Sequence, residues 1–425
     1  QAGKVEKGDW KVLLQDEKEE FFGYDNLETE VKITRYRKVK TKDGEQFQVV
    51  FNLTPFYPEG GGQVGDTGVI ANEKESIAII DTKKENKLIV HFTDGLPKDV
   101  NANFTAKVNS DDRKASARNH TATHLLHESL RTILGEHVAQ KGSLVNPNYL
   151  RFDFTHFSKI EKADLQKIEV DVNAKILANI ILDEHNKLPL SKAEDLGAIM
   201  LFGEKYDDVV RMIQFNTSKE LCGGTHVNAT GEIGLFKILS EGSTSSGIRR
   251  IEATTGINAL NYLSDKESLL NEIGGLVKNK DLKKGVEQLI TTNKNLEKQI
   301  TTLKKANAGN VKDDSLNSAV EVNGIRFIAQ EVEMEAEDMK NVSFALRKEE
   351  NLAMVLAATV GEKALLTVML TDDLVAKGMN AGAMIRDIAK EIQGGGGGQP
   401  FFATAGGAKP SGIVAALEKA KEIIG

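Results

Sequence analysis

Short runs of alternating apolar and polar residues fill the first hundred positions of the chain. The alternation recurs in KITRYRKV, QFQVVFNL, SIAIIDT and KLIVHFT, with turn residues between them. Successive side chains of a strand point to opposite faces of a sheet, so this period of two predicts half-buried strands. Many short strands close naturally into a barrel, and we expect an N-terminal β-barrel domain over residues 1–110. The loop TPFYPEGGGQVGDTG at 54–68 interrupts the strands with irregular backbone.

The apolar period changes to that of a helix after residue 110. Leu125, Leu126, Leu130 and Ile133 lie at helical spacings within 116–134. A second helix is predicted over 162–182, with its apolar face formed by Leu165, Ile168, Val172, Ile176 and Ile180. Strands and turns follow to about residue 255, so residues 111–256 are expected to form an α+β domain.

A lysine-rich helical segment is predicted over residues 257–310. Positions spaced 4-3-4-3-4-3 form a heptad seam of Leu282, Val286, Leu289, Asn293, Leu296, Ile300 and Leu303. Three heptads are near the lower limit for a coiled coil, and an antiparallel helical hairpin or one long linker helix fits the pattern equally well. Pairing of two chains through this linker, or through the last domain, would give a homodimer.

Strands and helices alternate in the last part of the chain, which predicts an α/β domain over residues 311–425. The predicted strands are GIRFIAQEV, LAMVLAATV and ALLTVML, and the predicted helices are MKNVSFALRKEE, NAGAMIRDIAKEI and GIVAALEKAKEII. Five glycines at 394–398 follow a helix directly. They are either a flexible linker or backbone that approaches another backbone or a phosphate closely. The whole chain is therefore expected to be a multidomain α+β protein.

Composition narrows the class of protein further. Hydrophobic residues make up 40% and charged residues 28% of the 425 positions, which is typical of a folded globular protein. The longest apolar runs are too short to span a bilayer, so no membrane partner is expected. The single cysteine, Cys222, excludes an internal disulfide and fits a cytoplasmic location. A net charge of −7 decides little about nucleic-acid binding, because local basic patches can still contact phosphates. The chain begins with Gln, so we expect it to be a fragment of a longer protein.

Two pairs of metal-ligating side chains share one spacing. His120 and His124 lie four residues apart on a predicted helix, so their imidazoles share a face. Cys222 and His226 repeat the spacing in LCGGTHV, where two glycines allow a tight turn. One thiolate and three imidazoles suit tetrahedral zinc, and we expect one Zn²⁺ per chain.

The chemistry of this zinc stays open at the level of sequence. HTATH lacks the glutamate of the HExxH motif, so a zinc protease is not favoured. Four protein ligands leave no open position for a hydrolytic water. Either the metal is structural and orients a substrate, or one ligand dissociates during catalysis. His127, one turn further along, is more often a packing residue or a residue behind the ligands than a fifth ligand.

Several motifs together resemble one family. YPEGGGQVGDTG, NHTATHLLH, QKGSLV, LCGGTHV and GIRRIEATTG are similar, in order and spacing, to the editing module of the alanyl-tRNA synthetases. The opening segments KVLL, FFGYDNLE and TRYRKV resemble the stretch that precedes that module, and the glycine segment resembles the family's C-terminal domain of the DHHA1 type. The resemblance implies a zinc editing domain over 111–256, a linker over 257–310 and a tRNA-binding domain over 311–425.

The resemblance implies hydrolysis of mischarged Ser-tRNA(Ala) and Gly-tRNA(Ala). A pocket shaped for alanine cannot exclude glycine and rejects serine poorly, since a small side-chain difference is worth only about 1–3 kcal/mol. Thr123 and Gln140 match the family positions that select and orient serine, although Thr123 could simply cap or pack in its helix. Arg249 and Arg250 would contact the tRNA acceptor end; surface salt bridges are the alternative. The loop at 60–63 would line the site.

For residues 311–425, which we call the tail, the resemblance implies binding to the outer corner of tRNA. The candidate contacts are Lys377, Arg386, Lys390 and Lys409. The family often carries a basic residue among the glycines, and this chain does not. The class II motifs for activating alanine with ATP are not visible, so ATP would bind only to a synthetic domain outside this chain. Two alternatives remain: a free-standing editing protein, or a tRNA-binding and dimerisation module with structural zinc.

Overall fold

Two compact units make up the chain, Gln1–Asn271 and Glu272–Gly425. The structure is a computed structural model, and it describes residues 6–15, 18–41, 44–200 and 206–425. Both units contain β-sheet and α-helices, which confirms the mixed α+β multidomain class. The finer division at residues 110, 256 and 310 stays a prediction.

The first part of unit one consists of strands. Their bounds are β1 (Glu6–Lys7), β2 (Lys11–Val12), β3 (Glu20–Phe21), β4 (Glu28–Thr41), β5 (Gly44–Phe51), β6 (Leu53–Thr54), β7 (Gly68–Ala71), β8 (Ser76–Ile79), β9 (Asp81–Glu85), β10 (Leu88–Thr93) and β11 (Asn103–Val108). The main path of hydrogen-bonded strands is β8-β7-β11-β4-β5-β10-β9, and β1 and β2 pair with β4. The short strands β3 and β6 pair with each other.

Alternation along β4 explains why this segment forms a sheet. Val31 and Ile33 are buried in the core, whereas Glu30 and Lys32 lie on the opposite, less buried face. The two ends of the strand path, β8 and β9, are separated in the chain by Ile80 alone, whose N–H donates to the carbonyl of Phe92 at 2.9 Å. Closure of these strands into a barrel stays a prediction.

An α+β arrangement follows in unit one. Its elements are α1 (Ser110–Leu134), β12 (Gln140–Val145), β13 (Leu150–Thr155), α2 (Lys162–Leu177), β14 (Asp183–Pro189), α3 (Leu190–Asp195), β15 (Val209–Phe215), β16 (Ser218–Leu221), β17 (Phe236–Ser245) and β18 (Ile248–Thr255), with a 3₁₀ turn at Thr230–Ile233. One sheet has the order β12-β13-β18-β17 and another the order β14-β15-β16. Leu125 and Leu130 of α1 pack with Phe152 in the core.

The helix predicted over 162–182 is too long by five residues. α2 ends at Leu177, and Asn179 adopts a positive φ of 48°, a conformation that ends a helix. The N–H of Ile180 then donates to Thr230 Oγ1 at 2.8 Å. Ile180 packs against the core from this extended segment rather than from the helix. Its apolar character is therefore compatible with either conformation.

The lysine-rich segment forms two helices, α4 (Gly256–Val277) and α5 (Leu282–Asn317). A short turn separates them, with Lys278 at φ 52° and Asp281 capping α5 through the N–H of Lys284. α5 extends seven residues beyond the predicted end at 310. Its seam remains open to solvent, since Leu289 is 57% and Leu303 68% exposed. A homodimer through this seam stays a prediction.

Unit two ends in a sheet covered by helices. The elements are β19 (Val320–Val322), β20 (Ile325–Glu331), α6 (Ala336–Leu346), β21 (Leu352–Val360), β22 (Lys363–Leu370), α7 (Asp372–Ala376), α8 (Ala381–Ile388), β23 (Gly394–Gln399), β24 (Phe402–Gly407) and α9 (Ile413–Ile424), with a 3₁₀ turn at Pro410–Gly412. The strand order is β19-β20-β21-β22-β24-β23, and β20 runs parallel to β21. Each strand and helix predicted here is present, although α6 ends at Leu346 and α8 at Ile388, each four residues before its predicted end.

The five glycines form part of an edge strand, so the flexible-linker alternative is wrong. β23 pairs with β24 along its length. A Cβ on Gly394, Gly396 or Gly398 would lie 2.2–2.3 Å from a carbonyl oxygen of the neighbouring strand. A Cβ on Gly395 or Gly397 would meet nothing within 4 Å. Alternate glycines therefore permit the close approach of two backbones.

The described helices are each too short or too polar to cross a lipid bilayer.

Candidate metal centre

Helix α1 and the loop after β16 bring four ligating side chains together. Asn109 caps α1 by accepting hydrogen bonds from the N–H groups of Asp111 and Asp112. This helix carries His120 and His124, which are buried, and the loop carries Cys222 and His226, which are partly exposed. One ligand atom from each lies within 4.8 Å of the others. The arrangement is a candidate site for a single ion.

Hydrogen bonds behind two imidazoles set their orientation. His120 Nδ1 lies 2.8 Å from Gln63 Oε1, and His226 Nδ1 lies 3.0 Å from Thr121 Oγ1. The Nε2 atoms of the same rings lie 3.4 and 3.3 Å from Cys222 Sγ. Oxygen acceptors on Nδ1 favour the tautomer whose Nε2 lone pair is free to bind a metal.

Burial favours neutral imidazoles in this group. Desolvation, with the neighbouring imidazoles and Arg211, holds the pKa of His120 and His226 well below the ordinary 6.5. The pKa of His124 is lowered mainly by burial as well. Although the edge of Cys222 reaches solvent, desolvation raises the pKa of its thiol to about 12. A metal ion would find ready imidazole ligands and would have to displace the thiol proton.

The residues fit a zinc ion by two independent criteria. His124 Nδ1 is buried and has no hydrogen-bond partner in the described part of the chain. A buried polar atom without a partner is costly unless it binds something else. One sulfur and three nitrogens also form the donor set typical of zinc.

Glu220, which the sequence did not single out, is a buried carboxylate beside the four ligands. Its carboxylate lies 3.6 Å from His124 Nε2 and 3.0 Å from His127 Nδ1. His127 thus contacts Glu220 from behind His124 and is not one of the four grouped ligands. A carboxylate on a ligating histidine orients the ring and raises its basicity. The only sequence signal was an acid two residues before Cys222.

Arg211 of β15 holds the cysteine loop from the other side. Its guanidinium donates to the carbonyls of Cys222 at 2.9 Å and Gly224 at 2.6 Å, and pairs with Glu184 at 2.6 Å. Gly224 must be glycine here, because a Cβ would lie 2.0 Å from the ring of His120. No local pattern around Arg211 predicted this role.

The loop at 55–66 packs against α1 and β12. Arg113 of α1 forms a buried ion pair with Asp66 and donates to the carbonyl of Pro55 at 2.8 Å. Gly60 and Gln63 exchange two backbone hydrogen bonds in a tight turn, and Val145 donates to Gly62 at 2.7 Å. Gln63 reaches His120 because the turn is fixed between these elements.

A cavity of about 210 Å³ opens beside the ligands. Thr123 and Gln140, the two predicted selectivity residues, both line it, together with Gly61, Ser143 and Glu220. The hydroxyl of Thr123 donates to the carbonyl of Asn119 at 2.8 Å, four residues earlier in the helix. Its oxygen can still accept a hydrogen bond from a bound group.

Arg249 and Arg250 lie on β18 and are not among the described residues that line this cavity. Arg249 is paired with Glu241. Arg250 makes a bidentate contact with Asp153, at 2.6 and 2.8 Å. Both arginines therefore form ion pairs within the sheet in this structure, although the pair of Arg249 with Glu241 is largely buried rather than at the surface, where the alternative placed it.

The basic residues of the tail lie on the surface of unit two. Lys377, Arg386, Lys390 and Lys409 are exposed. Lys390 pairs with Asp387 at 2.9 Å, and Arg386 donates to the carbonyl of Gly382 at 2.7 Å. These contacts leave the charged groups accessible to solvent.

Three family models match separate parts of the chain. The model of class II (A) tRNA synthetases matches residues 1–114. The model of the threonyl and alanyl tRNA synthetase second additional domain matches residues 210–252, which include Cys222 and His226. The DHHA1 domain model matches residues 324–425.

Curated alanine–tRNA ligases match along the whole chain. The ligase of Bacteroides fragilis is 51% identical over 427 residues, which cover 100% of this chain and 49% of that protein. The ligase of Christiangramia forsetii is 49% identical over 429 residues, with the same coverage. The chain spans about half the length of the curated relatives it matches. Among solved structures, the C-Ala domain of Aquifex aeolicus alanyl-tRNA synthetase is 26% identical, with a TM-score of 0.24, over 25% of this chain and 97% of that one.

Proposed function

Because the chain belongs to the alanyl-tRNA synthetase family and corresponds to the C-terminal half of its members, we propose that it hydrolyses Ser-tRNA(Ala) and Gly-tRNA(Ala) in a zinc-dependent editing site. The observation that carries the proposal is the cavity in which Thr123 and Gln140 meet the four ligands. In a complete ligase, a separate synthetic domain would attach alanine to tRNA(Ala) with ATP. This chain would correct the errors of that domain.

His120, His124, Cys222 and His226 would hold the zinc ion. The bound ion would supply a fixed positive charge that orients the aminoacyl group. Gln63 and Thr121 keep His120 and His226 aimed at it, and Glu220 orients His124. The ester of an aminoacyl-tRNA is already activated, so exact positioning of ester and water supplies much of the rate.

Selection of serine would depend on its hydroxyl. Since Thr123 already donates to Asn119, its oxygen is available to accept from the serine hydroxyl. The Gln140 side-chain amide can donate or accept. Alanine lacks the hydroxyl and would leave these buried groups without a partner, which disfavours its binding. Glycine lacks the hydroxyl as well, so hydrolysis of Gly-tRNA(Ala) would not depend on this hydrogen bond.

Phosphates of the tRNA would bind outside the cavity. Arg250, with a side chain 36% exposed, is a candidate contact for the acceptor end, and Arg249 lies beside it. The exposed bases Lys377, Arg386, Lys390 and Lys409 of unit two are candidates for the body of the tRNA. Such contacts would carry most of the affinity and make it dependent on salt.

The decisive experiment incubates the zinc-loaded chain with Ser-, Gly- and Ala-tRNA(Ala). We expect rapid hydrolysis of the first two and survival of the third. Thr123→Val removes the hydroxyl at nearly constant volume and should slow Ser-tRNA hydrolysis roughly tenfold, as expected for one lost hydrogen bond. It should leave Gly-tRNA hydrolysis nearly unchanged, because glycine has no hydroxyl to recognise.

Two variants complete the test. Thr123→Ser keeps the hydroxyl and should retain the hydrolysis of Ser-tRNA. Cys222→Ala should lose zinc and hydrolysis together. Absence of selective hydrolysis by the zinc-loaded chain would refute the editing proposal and favour a tRNA-binding module with structural zinc.

A further inference from the structure

A second cleft adjoins the metal-side cavity in unit one. Its volume is about 420 Å³, within the usual range of about 300–1,000 Å³ for small-molecule sites. Three aromatic side chains, Phe21, Tyr24 and Tyr57, form part of its wall. None of these residues has a role in the hydrolysis described above.

The aromatic wall is held rigidly. Phe21 packs edge-to-face on Tyr24 with ring centroids 4.9 Å apart, and on Tyr57 at 6.2 Å. Tyr57 is only 6% exposed, and its hydroxyl donates to the carbonyl of Gly60 at 3.0 Å. A preformed aromatic surface loses little conformational entropy when a planar ring stacks on it.

Tyr24 connects this cleft to the metal-binding loop. Its hydroxyl donates to the carbonyl of Gly223 at 2.8 Å. The guanidinium of Arg211 lies 4.1 Å from the centroid of its ring, while the same arginine bonds to the carbonyl of Cys222. Arg211 therefore covers one face of a ring that lines the cleft.

The rim of the cleft carries unpaired positive charge. Lys84 and Lys87 line it and form no ion pair with any residue the structure describes. Glu59 also lines it, but its carboxylate is paired with Lys83 at 3.1 Å. Aromatic rings beside free lysines are the features with which proteins bind single-stranded nucleic acids.

Two glycines line both the cleft and the cavity. Gly61 and Gly223 face each space, and a Cβ on either would meet nothing within 4 Å. The cleft and the cavity therefore adjoin at these two glycines, and no side chain of Gly61 or Gly223 stands between them.

We propose that this cleft binds the nucleobase of the nucleoside that carries the ester, which in a tRNA is the 3′-terminal adenine. The base stacks on Tyr24, the ribose lies at Gly61 and Gly223, and the aminoacyl group enters the metal-side cavity. The lysines of the rim contact the preceding phosphates. This inference rests on the proposed editing function, since it assigns the acyl group to that cavity.

The test measures binding of RNA hairpins that carry no amino acid, so it does not depend on hydrolysis. A labelled acceptor-stem hairpin ending in CCA is compared by fluorescence anisotropy with the same hairpin whose terminal ribose lacks a base. The zinc-loaded chain should bind the adenine-ended hairpin at least about fivefold more tightly, as expected for one stacked base. Tyr24→Ala should abolish this preference, and Tyr24→Phe should keep it.

Two further variants make the result decisive. Tyr24→Leu keeps apolar bulk for folding and should also lose the preference, because it has no aromatic face. Phe157→Ala removes an 85% exposed ring outside the cleft and should change nothing. Equal affinity of the wild type for both hairpins, or an unchanged preference in Tyr24→Ala and Tyr24→Leu with zinc retained, would overturn the proposal. Selective hydrolysis could still hold in that case, and an adenine preference without hydrolysis would refute only the editing function.

Discussion

Buried imidazoles in unit one differ in the partners of their ring nitrogens. Those of the metal centre have a buried nitrogen aimed at other ligands, whereas His91 has protein partners on both sides. Its Nε2 lies 2.7 Å from Thr54 Oγ1 and its Nδ1 lies 3.1 Å from the carbonyl of Val49. His91 is therefore a core histidine, and its neutral form is the one the fold accommodates.

Burial lowers the pKa of His91 from 6.5 to about 3, which predicts loss of stability in acid. Below pH 6.5 the unfolded chain takes up a proton that the folded protein does not bind until about pH 3. The stabilisation is complete above pH 6.5 and falls as the pH decreases. Lowering the pH from 7 to 5 should therefore reduce the free energy of unfolding by about 2 kcal/mol through His91.

Urea denaturation of wild type and His91→Gln at both pH values checks this prediction. The variant should lose about 2 kcal/mol less than the wild type between pH 7 and pH 5. Val90→Ala, at a buried neighbour on the same strand that does not titrate, should lower stability without altering the pH dependence. An identical pH dependence in wild type and His91→Gln would contradict the assignment.

At the scale of elements, the close approach of edge strand β23 to β24 predicts different stabilities for two glycine-to-alanine variants. Gly396→Ala would place a Cβ 2.3 Å from the carbonyl of Thr404 and 2.7 Å from Ala405 Cα. The strands would have to separate, at a cost of about 1–3 kcal/mol typical of overpacking. Gly395→Ala has free space and should change stability by less than about 0.5 kcal/mol.

Amide hydrogen exchange of β23 and β24 measures the difference between the two variants. Faster exchange in Gly396→Ala than in Gly395→Ala is expected. Equal protection in both would mean that the close approach of these backbones does not contribute to stability.

Elements with a strong local pattern were predictable. The apolar period of α1 was readable from the sequence, whereas its cap at Asn109 and the two acids of its first turn were identified in the structure. The end of α2 was not readable, because Ile180 continues the helical spacing. Its position depends on Thr230, fifty residues later, which binds the backbone of Ile180. The open seam of α5 shows the same limit, since spacing predicts a helix and not its partner.

At the scale of the whole molecule, the metal would link distant parts of one unit. Its ligands come from α1 and from a loop about a hundred residues later, and they belong to unit one. Chelation of the metal should therefore destabilise unit one and leave unit two unaffected. For a unit of this size, each kcal/mol lost would lower Tm by about 2–4 °C.

Hydrogen exchange with and without a chelator separates the two units in one experiment. Amides of α1 and of residues 218–227 should exchange faster in the chelated chain, and those of β20–β24 should not. In Cys222→Ala the chelator should have little further effect. Faster exchange throughout both units would show that the metal acts on more than unit one.

The sequence by itself picked out the four side chains that the structure groups into a candidate metal site, the helix that carries two of them, and three strands and three helices of residues 311–425. These depend on spacings of three to four residues, where the geometry of helix and turn fixes which side chains are neighbours. The pairing of Arg249 and Arg250 with carboxylates was open in the sequence and was decided by the sheet.

Only the tertiary structure brought Glu220, Arg211 and Tyr24 to the metal loop, and it added the contact of Gln63 with His120 to a loop that the family resemblance had already placed at the site. Their positions depend on packing of strands and loops far apart in the chain, for which no local period exists. Gln63 reaches His120 across 57 residues and Tyr24 reaches Gly223 across 199. Local spacing in a sequence identifies candidate ligands of a site, whereas the residues that line the site are brought together by contacts between distant segments of the chain.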